Sequence, residues 1–312
     1  MPPRYLLSPA LQAMLERSLT FAPGKSSLDA RRAAFLALCR AFTGPCPAGV
    51  RQTDHDVQGL LVRVYQPQAM PPEGGWPTLL YLHGGGWSMG ELDSHDWFAY
   101  ALLERLPVAI VSVDYRLAPE HPWPAAVQDT LKAFRTLRAG LLAETLSCER
   151  LLVCGESAGG TLAAALCLAL RDADERQPLG QGLLYPVMTA QETLPSVTEH
   201  ANAPFLTRAA VRACVIDYLP RPADRNVPTA MPLNTPTCSG LSPAFIGVAE
   251  FDPLRDHGIA YHGRLKAAAV ASCLYVGEGL VHGCLRDDSI SEVRMLYDAF
   301  AAWISQVLSL PT

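Results

Sequence analysis

From residue 78 onward, short apolar runs of strand length alternate with longer stretches in which apolar residues recur at helical spacing. The runs are 78–82 (TLLYL), 108–115 (VAIVSVDY), 151–155 (LLVCG), 182–186 (GLLYP), 243–251 (PAFIGVAEF) and 272–277 (SCLYVG). Helical spacing marks 94–105, 124–138, 157–171, 256–269 and 289–308. Near-continuous apolar strands separated by helices predict a buried, mostly parallel sheet with helices on both faces. Upstream, 8–19 and 27–42 also carry the helical period, the second opened by Ser26-Ser27-Leu28-Asp29 and closed by Gly44. Residues 57–65 (VQGLLVRVY) alternate like a strand.

The segment 187–240 breaks the rhythm, with one helical stretch near 206–219 in polar, Pro-rich surroundings. Ligands of open parallel sheets bind at the carboxyl ends of the strands. An insertion between two strands, joined by the helical N-terminus, would form a layer over that end. The expected organisation is therefore an α/β body of residues 51–186 and 241–312 with a helical cap of 1–50 and 187–240.

Composition narrows the partners. The 312 residues carry a net charge of −5, which argues against nucleic acid or an anionic membrane, since phosphate binding needs clustered Lys and Arg. Apolar runs fall short of the roughly 18 residues of a membrane span, and the N-terminus lacks the charged, apolar and small-residue regions of an export signal. The nine cysteines are scattered, without Cys-x-x-Cys or zinc spacing. These features predict a cytoplasmic protein with reduced thiols and no metal. Lys25, Lys132 and Lys266 are the only lysines, which leaves few candidates for Schiff-base chemistry.

Two segments fit G-x-S-x-G: Gly155–Gly159 and Gly86–Gly90. At this composition chance supplies about one such match in ten chains, so context must decide. A nucleophile elbow needs a strand ending at the first Gly and a helix starting after the Ser. LLVC precedes Gly155 and TLAAALCLALR follows Gly160, so Ser157 is the candidate nucleophile, at a helix N-terminus that favours negative charge. Ser88 lacks the following helix and reads as a loop serine. Directly after the strand 78–82 comes His83-Gly84-Gly85-Gly86-Trp87. Glycines let backbone N–H groups line a cavity, and an oxyanion hole needs such donors, each worth about 2.7–4 kcal/mol of barrier. The candidate donors are the N–H groups of Gly85, Gly86 and Ala158. His83 and Gly84 support that motif, His83 by hydrogen bonding within the loop.

A serine nucleophile needs a base, and the base an orienting acid, in the chain order Ser, Asp or Glu, His. His282 follows the strand 272–277 and so lies at the sheet end where a base must sit. His257 and His262 fall on a helix and read as solvated, and His200 lies in the insertion. Asp252 immediately follows the strand 243–251. Asp256 is the rival acid, with a helix first turn as its alternative role. Glu250 and Glu278 are weaker rivals.

Together these motifs resemble the hormone-sensitive-lipase-like carboxylesterases of the α/β-hydrolase superfamily, over about residues 60–310. The resemblance rests on His83–Trp87, on Asp114–Pro122 with Pro124-Ala125-Ala126, on Gly155–Gly160, on Asp252–Asp256 and on His282-Gly283. It implies an α/β-hydrolase fold and a Ser157–Asp252–His282 triad. It also implies hydrolysis of short- to medium-chain acyl esters, no cofactor, a cap, and members that often dimerise. Arg116 and Glu120 would brace the loop beneath the Gly motif. The chain departs from the family at His257, where Glu is common, at Cys284, where an aromatic is common, and in a cap helix without Trp. Cys284 reads as a space-filler. An amidase, lactonase or deacylase would use the same machinery. A non-catalytic small-molecule receptor of this fold would have lost its base, whereas His282 is present.

Overall fold

The computed structural model describes residues 5–24 and 27–309. After two helices, α1 (Pro9–Leu19) and α2 (Leu28–Phe42), come strands β1 (Val50–Val57), β2 (Leu60–Pro67) and β3 (Trp76–Leu82). Then follow α3 (Asp96–Leu103), β4 (Ala109–Val113), α4 (Ala125–Arg138), β5 (Leu146–Glu156), α5 (Ala158–Asp172) and β6 (Gln181–Leu184). The short α6 (Pro195–Glu199) and α7 (Arg208–Tyr218) precede β7 (Ala244–Phe251), α8 (Arg255–Ala267), β8 (Ser272–Val281) and α9 (Ser291–Ser309).

All eight strands form one sheet in the order β1-β2-β4-β3-β5-β6-β7-β8, parallel from β4 to β8 and antiparallel at β1 and β2. Alternate residues of β3 feed opposite faces. Leu80 and Leu82 join Phe134, Leu162 and Leu265 under α4, α5 and α8. Leu79 and Tyr81 join Phe98, Tyr297 and Phe300 under α3 and α9. Every residue of β3, β4 and β6 is buried, which is why their sequences read as unbroken apolar runs.

The region 57–65 is not one strand. It holds the end of β1, a turn at Gln58-Gly59 and the start of β2. Both turn residues have positive φ, 53° and 86°, the geometry of a tight hairpin whose twist matches the flanking strands. β1 (VRQTDHDV) has no apolar alternation because it is an edge strand exposed over most of its length.

In the segment between β6 and β7, α6 and α7 lie at the carboxyl end of the sheet. Its tail turns back along the body: Arg264 Nη1 donates to the Leu233 carbonyl at 2.6 Å and Arg171 Nη1 to that of Thr237 at 2.7 Å. Arg264 belongs to α8 and Arg171 to α5, so residues 232–240 are fixed to the same helices that cover the sheet.

The lower face has a specific weak point. Phe300 is 1% exposed, lies 5.2 Å from the Phe245 ring and fills the space over Gly182. Phe300→Ala is expected to cost about 3–5 kcal/mol. Urea unfolding should show a lowered midpoint with the native circular dichroism of the folded protein retained.

Candidate active site

Ser157 occupies the sharp turn between β5 and α5 with φ 55° and ψ −118°, a conformation costly for any residue with a Cβ. Neighbouring backbone holds it there. Ser157 N–H donates to the Leu184 carbonyl at 2.8 Å, Val187 N–H donates back to the Ser157 carbonyl at 3.4 Å, and Thr161 Oγ1 donates to the Val187 carbonyl at 2.6 Å. At Gly159 a Cβ would overlap the Leu82 carbonyl, so only glycine lets α5 approach β3 this closely. The Ser157 hydroxyl is thereby presented at the N-terminus of α5.

His282 stands after β8. Its Nε2 is 2.9 Å from Ser157 Oγ and its Nδ1 is 2.7 Å from Asp252 Oδ2. Asp252 is fully buried at the end of β7, and its other oxygen accepts from Leu254 N–H at 2.8 Å. An ionised carboxylate can only accept, so Asp252 fixes the imidazole proton on Nδ1 and leaves Nε2 to accept from the serine. Ser157, His282 and Asp252 thus meet as one hydrogen-bonded line.

The rival residues lie elsewhere. Asp256 accepts from Ser196 N–H at 2.8 Å and pairs with Arg255 Nε at 2.9 Å. Glu250 accepts from Gly279 N–H at 2.6 Å, and Glu278 is exposed. His200 is buried against Arg255, with 3.0 Å between Nε2 and Nη1. His262 is half-exposed and lies 2.8 Å from Ser272 Oγ. His257 is not solvated: it is 2% exposed, because the first turn of α8 faces the 187–188 backbone, and Met188 N–H donates to its Nδ1 at 3.1 Å. Cys284 is buried, and burial pushes its thiol up to about 12.

In the Gly loop, Gly85 and Gly86 have φ 112° and 60°, and Trp87 follows at 57°, held by stacking on Tyr218 of α7 at 4.3 Å. Among the described residues the N–H groups of Gly85, Gly86 and Ala158 have no acceptor within the protein. His83 is fully buried and lies 2.7 Å from the Gly84 carbonyl through Nδ1. Its ring stacks on Tyr115 at 4.2 Å, and burial together with His95 lowers its pKa to about 3. It is a neutral donor that shapes the loop.

Three supporting groups escape the motif reading. Glu156, the variable position of the elbow, is buried and accepts from Gly84 N–H, which ties the elbow to the Gly loop. Burial pushes its carboxyl up, but the His95 hydrogen bond and the charges of His95, His282 and Arg286 bring it below its ordinary value. His95 Nε2 lies 3.2 Å from it. Glu156 stands between Gly155 and Ser157 and its partner Gly84 is 72 residues away, so no local signal marks its role. The third group is Arg32 of α2, whose Nε donates to the Ser88 carbonyl at 2.8 Å and whose Nη1 reaches Glu120 at 2.7 Å. Glu120 therefore anchors the N-terminal helix, and the loop is braced by Arg32. Arg116 instead pairs with Asp129 of α4 at 2.9 Å. Ser88 is a buried loop serine whose N–H donates to the Gly85 carbonyl.

Ser157, His282, Gly85 and Gly86 open into a cavity of about 260 Å³. Its opposite wall comes from Phe35 and Leu38 of α2, Phe205 and Leu206, and Val211 and Cys214 of α7. Cys214 lies so close to Gly86 that a Cβ there would strike its sulfur. Among the described residues no group of three or more His, Cys, Asp or Glu side chains is arranged to hold a metal ion.

Residues 79–286 match the sequence profile of the family described as alpha/beta hydrolase fold. The carboxylesterase NlhH of Mycobacterium tuberculosis is 41% identical over 225 residues, covering 71% of this chain and 70% of that protein. Ethyl acetate hydrolase of Pseudomonas putida is 38% identical over 248 residues, covering 79% and 78%. A solved esterase from the bacterial hormone-sensitive lipase family superposes with a TM-score of 0.87 at 26% identity, over 97% of this chain and 99% of its own.

Two histidines buried neutral near the site give stability a pH dependence. The pKa values of His83 and His257 fall from 6.5 to about 3 and about 4, chiefly through burial. Below pH 6.5 the unfolded chain takes up protons that the native protein refuses. Their contribution is thus complete above 6.5 and is lost as pH falls towards the folded values. Urea unfolding at pH 5 should show a loss of about 2 kcal/mol for each histidine relative to pH 7.5. Equal stability at the two pH values would mean that these rings are charged in the native state.

Proposed function

The chain belongs to the α/β-hydrolase fold family, among its hormone-sensitive-lipase-like carboxylesterases, and we propose that it hydrolyses carboxylic esters through an acyl-enzyme on Ser157. The observation that carries this reading is the hydrogen-bonded line from Ser157 through His282 to Asp252, at 2.9 and 2.7 Å, ending beside three unpartnered backbone N–H groups.

Ser157 Oγ attacks the ester carbonyl while its proton passes to His282 Nε2. The positive charge that develops on the imidazole is met by the buried Asp252 carboxylate on Nδ1. The carbonyl oxygen becomes an oxyanion and is received by the N–H groups of Gly85, Gly86 and Ala158. His282 then gives its proton to the departing alkoxide, and the alcohol leaves. Water enters, loses a proton to His282 and attacks the acyl-enzyme, and collapse of the second tetrahedral intermediate returns Ser157 and releases the acid. No step requires a cofactor.

The cap in this reading consists of α1 and α2 together with the α6–α7 part of the insertion. Support comes from the wall facing Ser157, which these helices supply through Phe35, Leu38, Val211 and Cys214. The cavity of about 260 Å³ lies at the lower edge of the roughly 300–1,000 Å³ of ligand pockets, and its wall is mostly apolar. Both features favour short to medium acyl chains. The nine unpaired cysteines, five of them buried, fit a reducing compartment such as the cytoplasm. Among the described residues no helix is long and apolar enough to cross a membrane.

Ser157→Ala should lower kcat on p-nitrophenyl butyrate by more than about 10⁴-fold and abolish labelling by a fluorophosphonate. Asp252→Asn should lower kcat by a similar order while the serine remains in place, because the imidazole would adopt the wrong tautomer. Undiminished turnover by Ser157→Ala would overturn the mechanism. Across p-nitrophenyl esters of two to twelve carbons, kcat/KM is expected to peak at the short to medium lengths.

A further inference from the structure

We propose that a second cavity beside the catalytic one binds a carboxylate at the far end of the substrate, so that esters bearing a distal carboxylate are preferred over their uncharged isosteres. This deepens the serine-esterase reading above and rests on it. The second cavity has a volume of about 300 Å³. Val211 of α7 and Leu254 stand in the walls of both cavities and form the partition between them. The two cavities therefore adjoin across these two side chains, and a substrate whose ester lies at Ser157 would reach the second past them.

The chemistry of that space differs from the apolar wall of the first. Arg208, Arg212 and Arg225 line it, against the single carboxylate of Glu192. Glu192 is already shared, accepting from Arg208 Nε and from Arg212 Nε, each at 2.8 Å. Among the described residues Arg225 has no carboxylate within ion-pair distance, and its guanidinium makes only long contacts of 3.4 and 3.5 Å with the Leu219 carbonyl. The charged side chains of the wall leave two positive charges uncompensated, one of them on Arg225.

His257 borders the same space. It stands in the wall of this cavity and is 2% exposed. Met188 N–H donates to its Nδ1, so the ring hydrogen sits on Nε2, and Nε2 has no partner in the protein. Nε2 is itself closed off, so it takes no ligand from the cavity, and Arg225 carries the recognition. The counter-charge for Arg225 is supplied by a carboxylate, which guanidinium groups bind in a planar, two-pronged manner. The ring is neutral at physiological pH, because burial lowers its pKa to about 4, so it adds no charge to the wall.

The test compares matched esters with the purified full chain. One arm uses mono-p-nitrophenyl esters of six- to nine-carbon α,ω-dicarboxylic acids against p-nitrophenyl esters of alkanoic acids of the same length. The other arm uses ω-acetoxy carboxylic acids against alkyl acetates, followed by proton release, so that either side of the ester can reach the cavity. At low ionic strength at least one carboxylated ester should exceed its neutral isostere in kcat/KM by about tenfold or more, mainly through KM. In Arg225→Gln that ratio should collapse towards one. Arg225→Lys, which keeps the charge, should retain part of it and shows that a loss in Arg225→Gln is not a loss of fold. Preference for the neutral ester at every length on both arms, or an undiminished ratio in Arg225→Gln, would overturn the proposal. Hydrolysis of the neutral esters, and its loss in Ser157→Ala, is read in the same assay. It separates failure of this subsite from failure of the serine mechanism.

Discussion

Gly159 sits where any side chain would meet the Leu82 carbonyl, so the first turn of α5 and the end of β3 touch backbone to backbone. Much of the site follows from that contact. It brings the turn at Ser157 beside the Gly loop, since the loop begins one residue after Leu82. It also keeps Ser157 at a φ of 55°, because the chain has no slack between a strand that must end at Glu156 and a helix that must start at Ala158. The strain at the serine is balanced by ordinary bonds around it: its N–H and carbonyl are both paired with the backbone of residues 184–187. A surrounding structure that over-determines one residue is the condition under which such a conformation persists.

A second tie secures the loop from the other side. Glu156 is adjacent to the serine and holds Gly84 N–H, while His95 from the start of α3 holds Glu156. A fully buried carboxylate is costly on its own, yet here it is hydrogen-bonded to a backbone donor and to an imidazole, so the loop gains orientation without an unpaired charge. Arg32 reaches in from α2 and grips the Ser88 and Ala118 carbonyls together with Glu120. Helix α2 is thus fastened to the same loop that faces Ser157, and both α2 and α7 contribute side chains to the cavity above it.

The body of the fold was legible because buried parallel strands leave a plain trace: β3, β4 and β6 are buried at every position and apolar at all but Thr78, Ser112 and Gln181. The residues of the hydrogen-bonded line were legible because each stands directly after a strand or at the strand-to-helix turn, where topology limits the choices. Other features left no such trace. β1 is polar on both faces because both are wet, and its hairpin partner was fused with it across Gln58-Gly59. His257 looked exposed because helical spacing gives a face and not its neighbours, and the Met188 backbone that buries it is 69 residues away in sequence. Glu156 and Arg32 act through contacts 72 and 56 residues distant, which no local pattern encodes. The insertion between β6 and β7 was marked by its break in rhythm, but the return of residues 232–240 along α5 and α8 depends on two arginines whose targets are backbone carbonyls.

Ser157 and His282 are separated by 125 residues along the chain. At about 5–20 residues per second of synthesis, the elbow leaves the ribosome roughly 6–25 s before the base it is paired with. At the start of that interval β3, β4 and β5 can already assemble, but β7 and β8, which precede Asp252 and His282, do not yet exist. The nascent protein therefore holds Ser157 in its turn before the hydrogen-bonded line to His282 and Asp252 can form. The line from Ser157 through His282 to Asp252 is completed only when about nine-tenths of the chain has been made and the last parallel strand has closed.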